Sequence, residues 1–153
     1  MAGELLVTVP ANPPPSTITT PFAALAQPGG TNPRPLGSLG SFAQPTALNI
    51  WGDVVGYSFT STTDPTAPIH GVLYSHGKII DLGLPKGETA PGYSSYATGI
   101  NDLRVIVGFS DTVSGDLGFF QQPQSASPNG RGLVYINGQW YDLNDLVNAT
   151  GKA

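Results

Sequence analysis

The sequence predicts an all-β protein made of four-stranded antiparallel meander repeats, arranged like propeller blades. Residues 70–83, HGVLYSHGKIIDLG, hold two apolar runs separated by a turn, and residues 131–144, RGLVYINGQWYDLN, repeat that pattern 61 positions later (131 − 70). Residues 47–58 align without gaps on residues 99–110 at an offset of 52 (99 − 47). Twenty glycines and fifteen prolines among 153 residues supply the turns that many short strands require.

The N-terminal part of the chain precedes the regular pattern. Residues 4–9 predict a short strand that ends at Pro10, because proline cannot donate to a strand ladder. Residues 11–34 are rich in proline, and residues 18–25 within them are suited to pair with a sheet edge. We therefore predict a proline-rich arm over residues 1–35, with one or two short strands, and a β-repeat domain over residues 36–153.

Each repeat is predicted to contain two hairpins. The first hairpin turns at residues 51–53 in one copy and at Asn101-Asp102 in the other, and such residues suit tight reversals. The second hairpin turns at His76-Gly77 and at Asn137-Gly138, where Asn and Gly tolerate the positive φ of a type I′ turn. The sequence thus predicts unit one at about residues 46–83 and unit two at about residues 96–144, with partial units at the ends.

A four-stranded sheet of this size cannot cover both of its faces, so the units are predicted to stack. The continuous apolar runs at Val54-Val55 and at residues 105–107 agree, because a strand covered on both faces does not alternate. Two units do not close a propeller ring. Three solutions stay open: a longer protein, a ring assembled from several copies of the chain, or an open stack.

Composition excludes several classes of function. The net charge is −4 with only six Lys and Arg, so we expect no nucleic-acid partner. The absence of cysteine removes disulfides and thiol chemistry. No apolar run reaches the length of a membrane span, and the N-terminus lacks the positive region of a signal peptide. Either the chain stays inside the cell or its secretion signal lies outside this sequence.

The two aligned segments resemble the HAF repeat of bacterial extracellular proteins. That pattern runs roughly G-I-N-D-x-G-x-V-V-G-x-S, then H-A-F-L-Y, then G-x-M-x-D-L-G-x-L-G, and this chain has GINDLRVIVGFS and HGVLYSHGKIIDLGL. The resemblance covers about residues 36–146. Arg104 stands where glycine is usual, and Arg131 replaces the histidine that His70 matches. The resemblance implies an extracellular or surface location and supplies no catalytic residues.

Few residues suggest catalysis or metal binding. His70 and His76 are the only histidines, and with Asp81 nearby they form the one hydrolase hypothesis, in which a histidine acts as a base. The competing interpretation places His70 at a structural repeat position and His76 at an exposed turn. Asp111 and Asp116 are weak candidates for oxygen ligands of Ca²⁺, but their spacing does not fit the EF-hand loop. We predict no cofactor.

Aromatic side chains give the remaining candidate site. A set of aromatic residues, with His70 beside them, is positioned near predicted strand ends and is suited to bind sugar rings: Trp51, Tyr57, Trp140 and Tyr141. The competing interpretation is that these aromatic side chains pack in the core. The leading interpretation is a non-enzymatic structural or interaction module that assembles as a homo-oligomer and binds a protein or glycan ligand. The alternatives are a lectin with sites between the blades and the histidine hydrolase.

Overall fold

The computed structural model describes residues 4–8, 22–26, 34–64, 66–88, 92–112 and 130–146. Within these ranges the chain forms eleven β-strands and one helical turn at 143–146. The strands lie in one three-stranded sheet and two four-stranded antiparallel meanders. The prediction of an all-β fold built of four-stranded meander repeats is confirmed.

Unit one is a meander of four strands in the order in which they follow along the chain. Its strands are β4 (Ala43–Leu48), β5 (Val54–Phe59), β6 (Ile69–Ser75) and β7 (Lys78–Gly83). The hairpin between β6 and β7 turns at His76 and Gly77, whose φ angles are 51° and 76°. The predicted turn chemistry is therefore observed, because a type I′ turn needs positive φ at both central residues.

Unit two repeats this meander with a longer connection between its second and third strands. Its strands are β8 (Tyr93–Ile100), β9 (Ile106–Thr112), β10 (Arg131–Ile136) and β11 (Gln139–Asp142). The hairpin between β10 and β11 turns at Asn137 and Gly138 with φ angles of 54° and 86°. Residues 113–129, which form most of this connection, lie outside the described residues.

Both units begin three residues before the predicted boundaries of 46 and 96. The first strand of each unit carries a β-bulge, between Pro45 and Ala47 in β4 and between Ala97 and Gly99 in β8. A bulge leaves one residue out of the ladder, so proline is tolerated there. The predicted start of unit one at about residue 46 falls just after Pro45, whereas the strand begins before this proline and continues through it.

The main hydrophobic core lies between the two meanders. Six buried side chains form it: Val55, Leu82, Ala97, Ile106, Leu133 and Trp140. A second cluster on the other face of unit one contains Ala43, Val54, Val72 and Tyr74. Val54 and Val55 are both fully buried, so the prediction that unit one is covered on both faces is confirmed.

The outer face of unit two is different. Val107 is equivalent to Val55 and Leu143 is equivalent to Leu82, at offsets of 52 and 61. Val107 and Leu143 are 46% and 41% exposed, whereas Val55 and Leu82 are buried between the units. The face that unit one uses for stacking is thus partly open in unit two.

The predicted N-terminal arm supplies a small sheet. It consists of β1 (Glu4–Thr8), β2 (Phe22–Ala26) and β3 (Arg34–Pro35), in the order β1-β2-β3. Both β1 and β2 pack against β4, as β5 and β6 pack against β8. The sheet therefore occupies, relative to unit one, the place that unit one occupies relative to unit two. The sequence pattern did not reveal this pairing, because the strands are short and are separated by proline-rich segments.

The N-terminal sheet corresponds to the last three strands of a unit. Gly37 and Gly83 share positive φ at an offset of 46 (83 − 37). With this alignment, the strand registers make Leu6 equivalent to Gly56 of unit one and Gly108 of unit two. In both units that glycine lies against the backbone of the first strand.

We predict that Gly56→Ala strongly destabilises the protein. A Cβ atom at this position would meet the carbonyl oxygen of Gln44 and the Cα atom of Pro45. Backbone atoms cannot move aside as a side chain does, so a loss of about 3 kcal/mol or more in the free energy of unfolding is expected. Urea unfolding measures it.

Gly132→Ala is the matched control, because the added methyl group would meet only the side chain of Leu143. We expect this variant to remain within about 1 kcal/mol of the wild type. Equal stability of Gly56→Ala and Gly132→Ala would contradict the close approach of β4 to β5.

Candidate functional site

An asparagine side chain organises the turn between the first two strands of each unit. Asn49 Oδ1 accepts hydrogen bonds from the backbone N–H groups of Trp51 and Asp53, at 3.1 and 3.0 Å. Asn101 Oδ1 accepts the equivalent bonds from Leu103 and Val105, at 3.0 and 2.9 Å. Such bonds satisfy backbone donors that a tight turn leaves without ladder partners. The two turns are therefore built in the same way.

The same two turns are also joined to each other. Asn49 Nδ2 donates to the Asn101 carbonyl at 3.4 Å, and the indole Nε1 of Trp51 donates to the Asp102 carbonyl at 2.9 Å. The backbone N–H of Ile50 donates to Asp102 Oδ1 at 3.2 Å. We call this end of the two sheets the turn edge: residues 49–53, 75–78, 101–105 and 136–139.

Three apolar side chains on the turn edge are exposed to solvent. Ile50 and Trp51 are both 68% exposed and Leu103 is 84% exposed. Trp51 and Leu103 occupy equivalent positions at the offset of 52. The indole of Trp51 is fixed by its hydrogen bond, so a large aromatic surface is held in the solvent in one orientation.

Asp53 is the buried charged group of the turn edge, and its side chain is 3% exposed. Its carboxylate accepts hydrogen bonds from Ser75 Oγ at 2.5 Å, Arg104 Nε at 2.7 Å and Asn49 Nδ2 at 3.2 Å. Burial alone would raise the pKa of Asp53, but these hydrogen bonds and the charge of Arg104 outweigh it and hold the pKa below its ordinary value. Unit one and unit two are thus linked by an ion pair.

Arg104 explains the departure from glycine noted in the sequence. Its φ is 60°, and that of the equivalent Gly52 is 79°, so the turn requires the left-handed region in both units. A side chain in that region costs about 1–2 kcal/mol. Arg104 offsets this cost through its bonds to Asp53, and half of its side chain stays exposed.

His70 and Asp81 are close together, as the hydrolase hypothesis requires. His70 Nδ1 lies 2.9 Å from Asp81 Oδ1 across β6 and β7. The equivalent residues of unit two are Arg131 and Asp142, whose Nε and Oδ2 atoms lie 3.7 Å apart. Arginine thus replaces histidine opposite the carboxylate in unit two, where its closer partner is Glu88 at 2.8 Å.

His76 takes part in a different polar chain. Its Nδ1 lies 2.9 Å from Ser75 Oγ, which is also bonded to Asp53. The single hydroxyl proton of Ser75 is directed to the carboxylate, so the His76 Nδ1–H must be the donor to Ser75. A histidine that activates a serine must instead accept its proton. This geometry does not activate Ser75 as a nucleophile.

The other predicted aromatic residues are dispersed. Trp140 is buried in the core and its Nε1 donates to the Gly83 carbonyl at 3.1 Å. Tyr57 makes an edge-to-face contact with Tyr96 at a centroid distance of 5.1 Å, and Tyr141 is half-buried on β11. Only Trp51 lies on the turn edge. The structure does not bring Trp51, Tyr57, Trp140, Tyr141 and His70 together as one site.

The weak calcium candidates are only partly described. Asp111 is buried on β9, and its Oδ1 has no hydrogen-bond partner, while Asp116 lies outside the described residues. Among the residues that the structure describes, no three His, Asp or Glu side chains are grouped so as to hold a metal ion. In the same part of the chain, no helix has the length and apolarity needed to cross a membrane.

A cavity of about 300 Å³ opens on the turn edge of unit one. Residues 35–36 close one side of the cavity. Its polar and aromatic lining comes from the two turns of the unit and the end of β6: Trp51, Asp53, Tyr74, Ser75, His76 and Lys78. The sequence prediction included Trp51 and His76 but missed Asp53, Ser75 and Lys78. A signal was present, because each of these three positions carries a different residue in unit two: Val105, Ile136 and Gln139.

Comparison of the chain with family models, with curated proteins and with solved structures found no match.

We predict that Arg104→Ala is less stable than Arg104→Gly. Both variants lose the bonds to Asp53, at a cost of roughly 1–2 kcal/mol for a half-exposed partner. Alanine keeps the strained φ, whereas glycine relieves it, so the glycine variant should be more stable than the alanine variant by about 1 kcal/mol. Urea unfolding gives both values, and the reverse order would contradict the left-handed turn at this position.

We predict that Asp53 contributes to stability only when ionised. Its folded-state pKa lies below its ordinary value, so its contribution is present above about pH 4 and is lost as the pH falls through the folded-state pKa. The free energy of unfolding of Asp53→Asn should therefore fall less steeply on acidification than that of the wild type. Parallel pH dependences of the two proteins would contradict the low pKa.

Proposed function

We propose that this chain is a non-enzymatic binding module of an extracellular or surface repeat protein, with the turn edge as its contact surface. The resemblance to the HAF repeat supports the location and the repeat architecture. The observation that carries the binding role is the exposed, orientationally fixed indole of Trp51. Large apolar groups held in solvent mark interaction sites when they cluster on one surface, and Ile50 and Leu103 lie on the same edge.

The hydrogen-bond pattern favours binding over hydrolysis. Arg131 occupies the position of His70 in unit two and lies near Asp142. The hydroxyl proton of Ser75 is donated to Asp53. Neither histidine therefore has the partner geometry of a catalytic base with a serine nucleophile. The turn edge offers aromatic and hydrogen-bonding groups instead, which are the usual lining of a ligand site.

A saccharide ligand is the candidate that Trp51 favours. Trp51 presents a flat apolar surface beside a cavity with polar side chains, and this combination suits a ring that has apolar faces and hydroxyl edges. Trp140, the other tryptophan of the sugar-binding hypothesis, is buried in the core. We therefore assign the sugar contact to Trp51 alone.

A glycan array that contains neutral and acidic oligosaccharides tests this function. We expect the wild type to retain at least one class of glycan, and Trp51→Ala to lose it because the stacking surface is removed. Ile80→Ala is the control, since it truncates an exposed apolar residue of unit one that lies outside the turn edge and should keep binding. Absence of any retained glycan, or equal retention by Trp51→Ala, would contradict the saccharide proposal.

Association of copies is proposed for the outer face of unit two. That face exposes Val107 and Leu143 at positions where unit one is buried by its neighbour. Each copy presents one such face, so we favour a stack in which two copies cover each other's outer faces.

Light scattering after size exclusion should give twice the monomer mass of 15.8 kDa. Val107→Asp should give a monomer, because a charge cannot be buried without a partner in such an interface. Leu103→Asp, which adds the same charge on the turn edge, serves as its control and should remain a dimer. A monomeric wild type at high concentration would contradict this assembly.

A further inference from the structure

The repeat provides an internal comparison that separates residues needed by the fold from residues that are additional. The organising residues of the turns are kept in both units: Asn49 and Asn101, Tyr74 and Tyr135, Gly77 and Gly138. The hydrogen bonds of the two asparagines and the φ angles of the two glycines are also equivalent. A residue of the turn edge that differs between the units is therefore not required to form these turns.

Five such differences converge on the cavity of unit one. Unit one has Trp51, Asp53, Ser75, His76 and Lys78, where unit two has Leu103, Val105, Ile136, Asn137 and Gln139. Four of the five carry a titratable or hydroxyl group and the fifth is an exposed tryptophan, and all five line one cavity of about 300 Å³. At these five positions unit two has only apolar or neutral residues.

The polar chain fixes the hydrogen-bonding capacity of His76. Ser75 Oγ donates to Asp53 and accepts from His76 Nδ1, at 2.5 and 2.9 Å. In the neutral imidazole this leaves Nε2 without a proton and available as an acceptor. His76 is exposed at the cavity, so a ligand hydroxyl can donate to this nitrogen.

The cationic group of the cavity is uncompensated. Asp53 is paired with Arg104, whereas Lys78 is exposed and pairs with no carboxylate in the described part of the chain. An ammonium group offers three donors to an anionic ligand group. The cavity therefore combines an aromatic surface, one acceptor and one free positive charge.

We propose that this cavity binds an acidic sugar, in which the pyranose ring stacks on Trp51, a carboxylate pairs with Lys78 and a hydroxyl donates to His76 Nε2. This inference rests on the proposed binding function of the turn edge and adds the charge of the ligand. Neutral sugars of the same size lack the group that Lys78 recognises. Unit two, with Gln139 and Asn137, has no equivalent site.

Tryptophan fluorescence tests the proposal with trigalacturonate as the probe and maltotriose as the neutral comparison. The two tryptophans differ, because Trp51 is exposed and Trp140 is 5% exposed, so a ligand at the cavity changes the Trp51 emission. We expect saturable binding of trigalacturonate and an affinity for maltotriose at least about tenfold lower, since a hydrogen bond to a charged group is lost.

The variants Lys78→Gln and His76→Asn install the residues that unit two carries at equivalent positions, so the turns should fold. We expect Lys78→Gln to bind trigalacturonate about tenfold more weakly and to lose the preference over maltotriose. Gln139→Lys is the matched control and should leave the affinity unchanged. His76→Asn should lower the affinity for both sugars, because each of them loses the hydroxyl contact to Nε2.

Different results overturn different parts of the proposal. Equal binding of both sugars, or an unchanged preference in Lys78→Gln, would overturn the acidic-sugar inference and leave the turn edge as a saccharide-binding surface. Loss of binding in Gln139→Lys would move the site away from unit one and overturn the inference as well. If neither sugar binds and the glycan array also retains no glycan, the saccharide function itself is overturned.

Discussion

The rest of the structure depends on the hydrogen bonds of two equivalent asparagines. Asn49 and Asn101 each hold a turn through two backbone N–H groups, and Asn49 also donates to the carbonyl of Asn101. The turn sets the register of the first two strands, and the link between the turns aligns one sheet on the other. The core between the meanders and the ion pair of Asp53 with Arg104 both require that alignment.

Because the asparagines form the turns, other positions on the turn edge are free to carry functional side chains. Because a side-chain oxygen and a left-handed residue suffice to form these turns, the fold does not require the particular side chains of Trp51 and His76. In unit two the same positions hold Leu103 and Asn137. The proposed site therefore lies at positions whose residue type the turns do not require. The comparison with unit two identifies these positions.

The sequence predicted the fold well and the site only partly. Strand runs, Gly-containing turns and the offsets of 52 and 61 are local patterns, so the meanders were readable from them. Continuation of β4 through Pro45 was not, because a bulge depends on pairing with β5. Contacts between units are also non-local: the bond of Arg104 to Asp53 spans 51 residues. Trp140 was assigned to a sugar site because sequence spacing does not reveal which face of β11 is covered.

The two units form one cooperative structure through their aligned turns and shared core. Native-state hydrogen exchange in low concentrations of denaturant tests this cooperativity, because it reports the free energy of opening for individual strands. We expect the most protected amides of β5 and of β9 to open with the same free energy, equal to that of global unfolding. Opening of β9 at a distinctly lower free energy, while β5 stays protected, would contradict it.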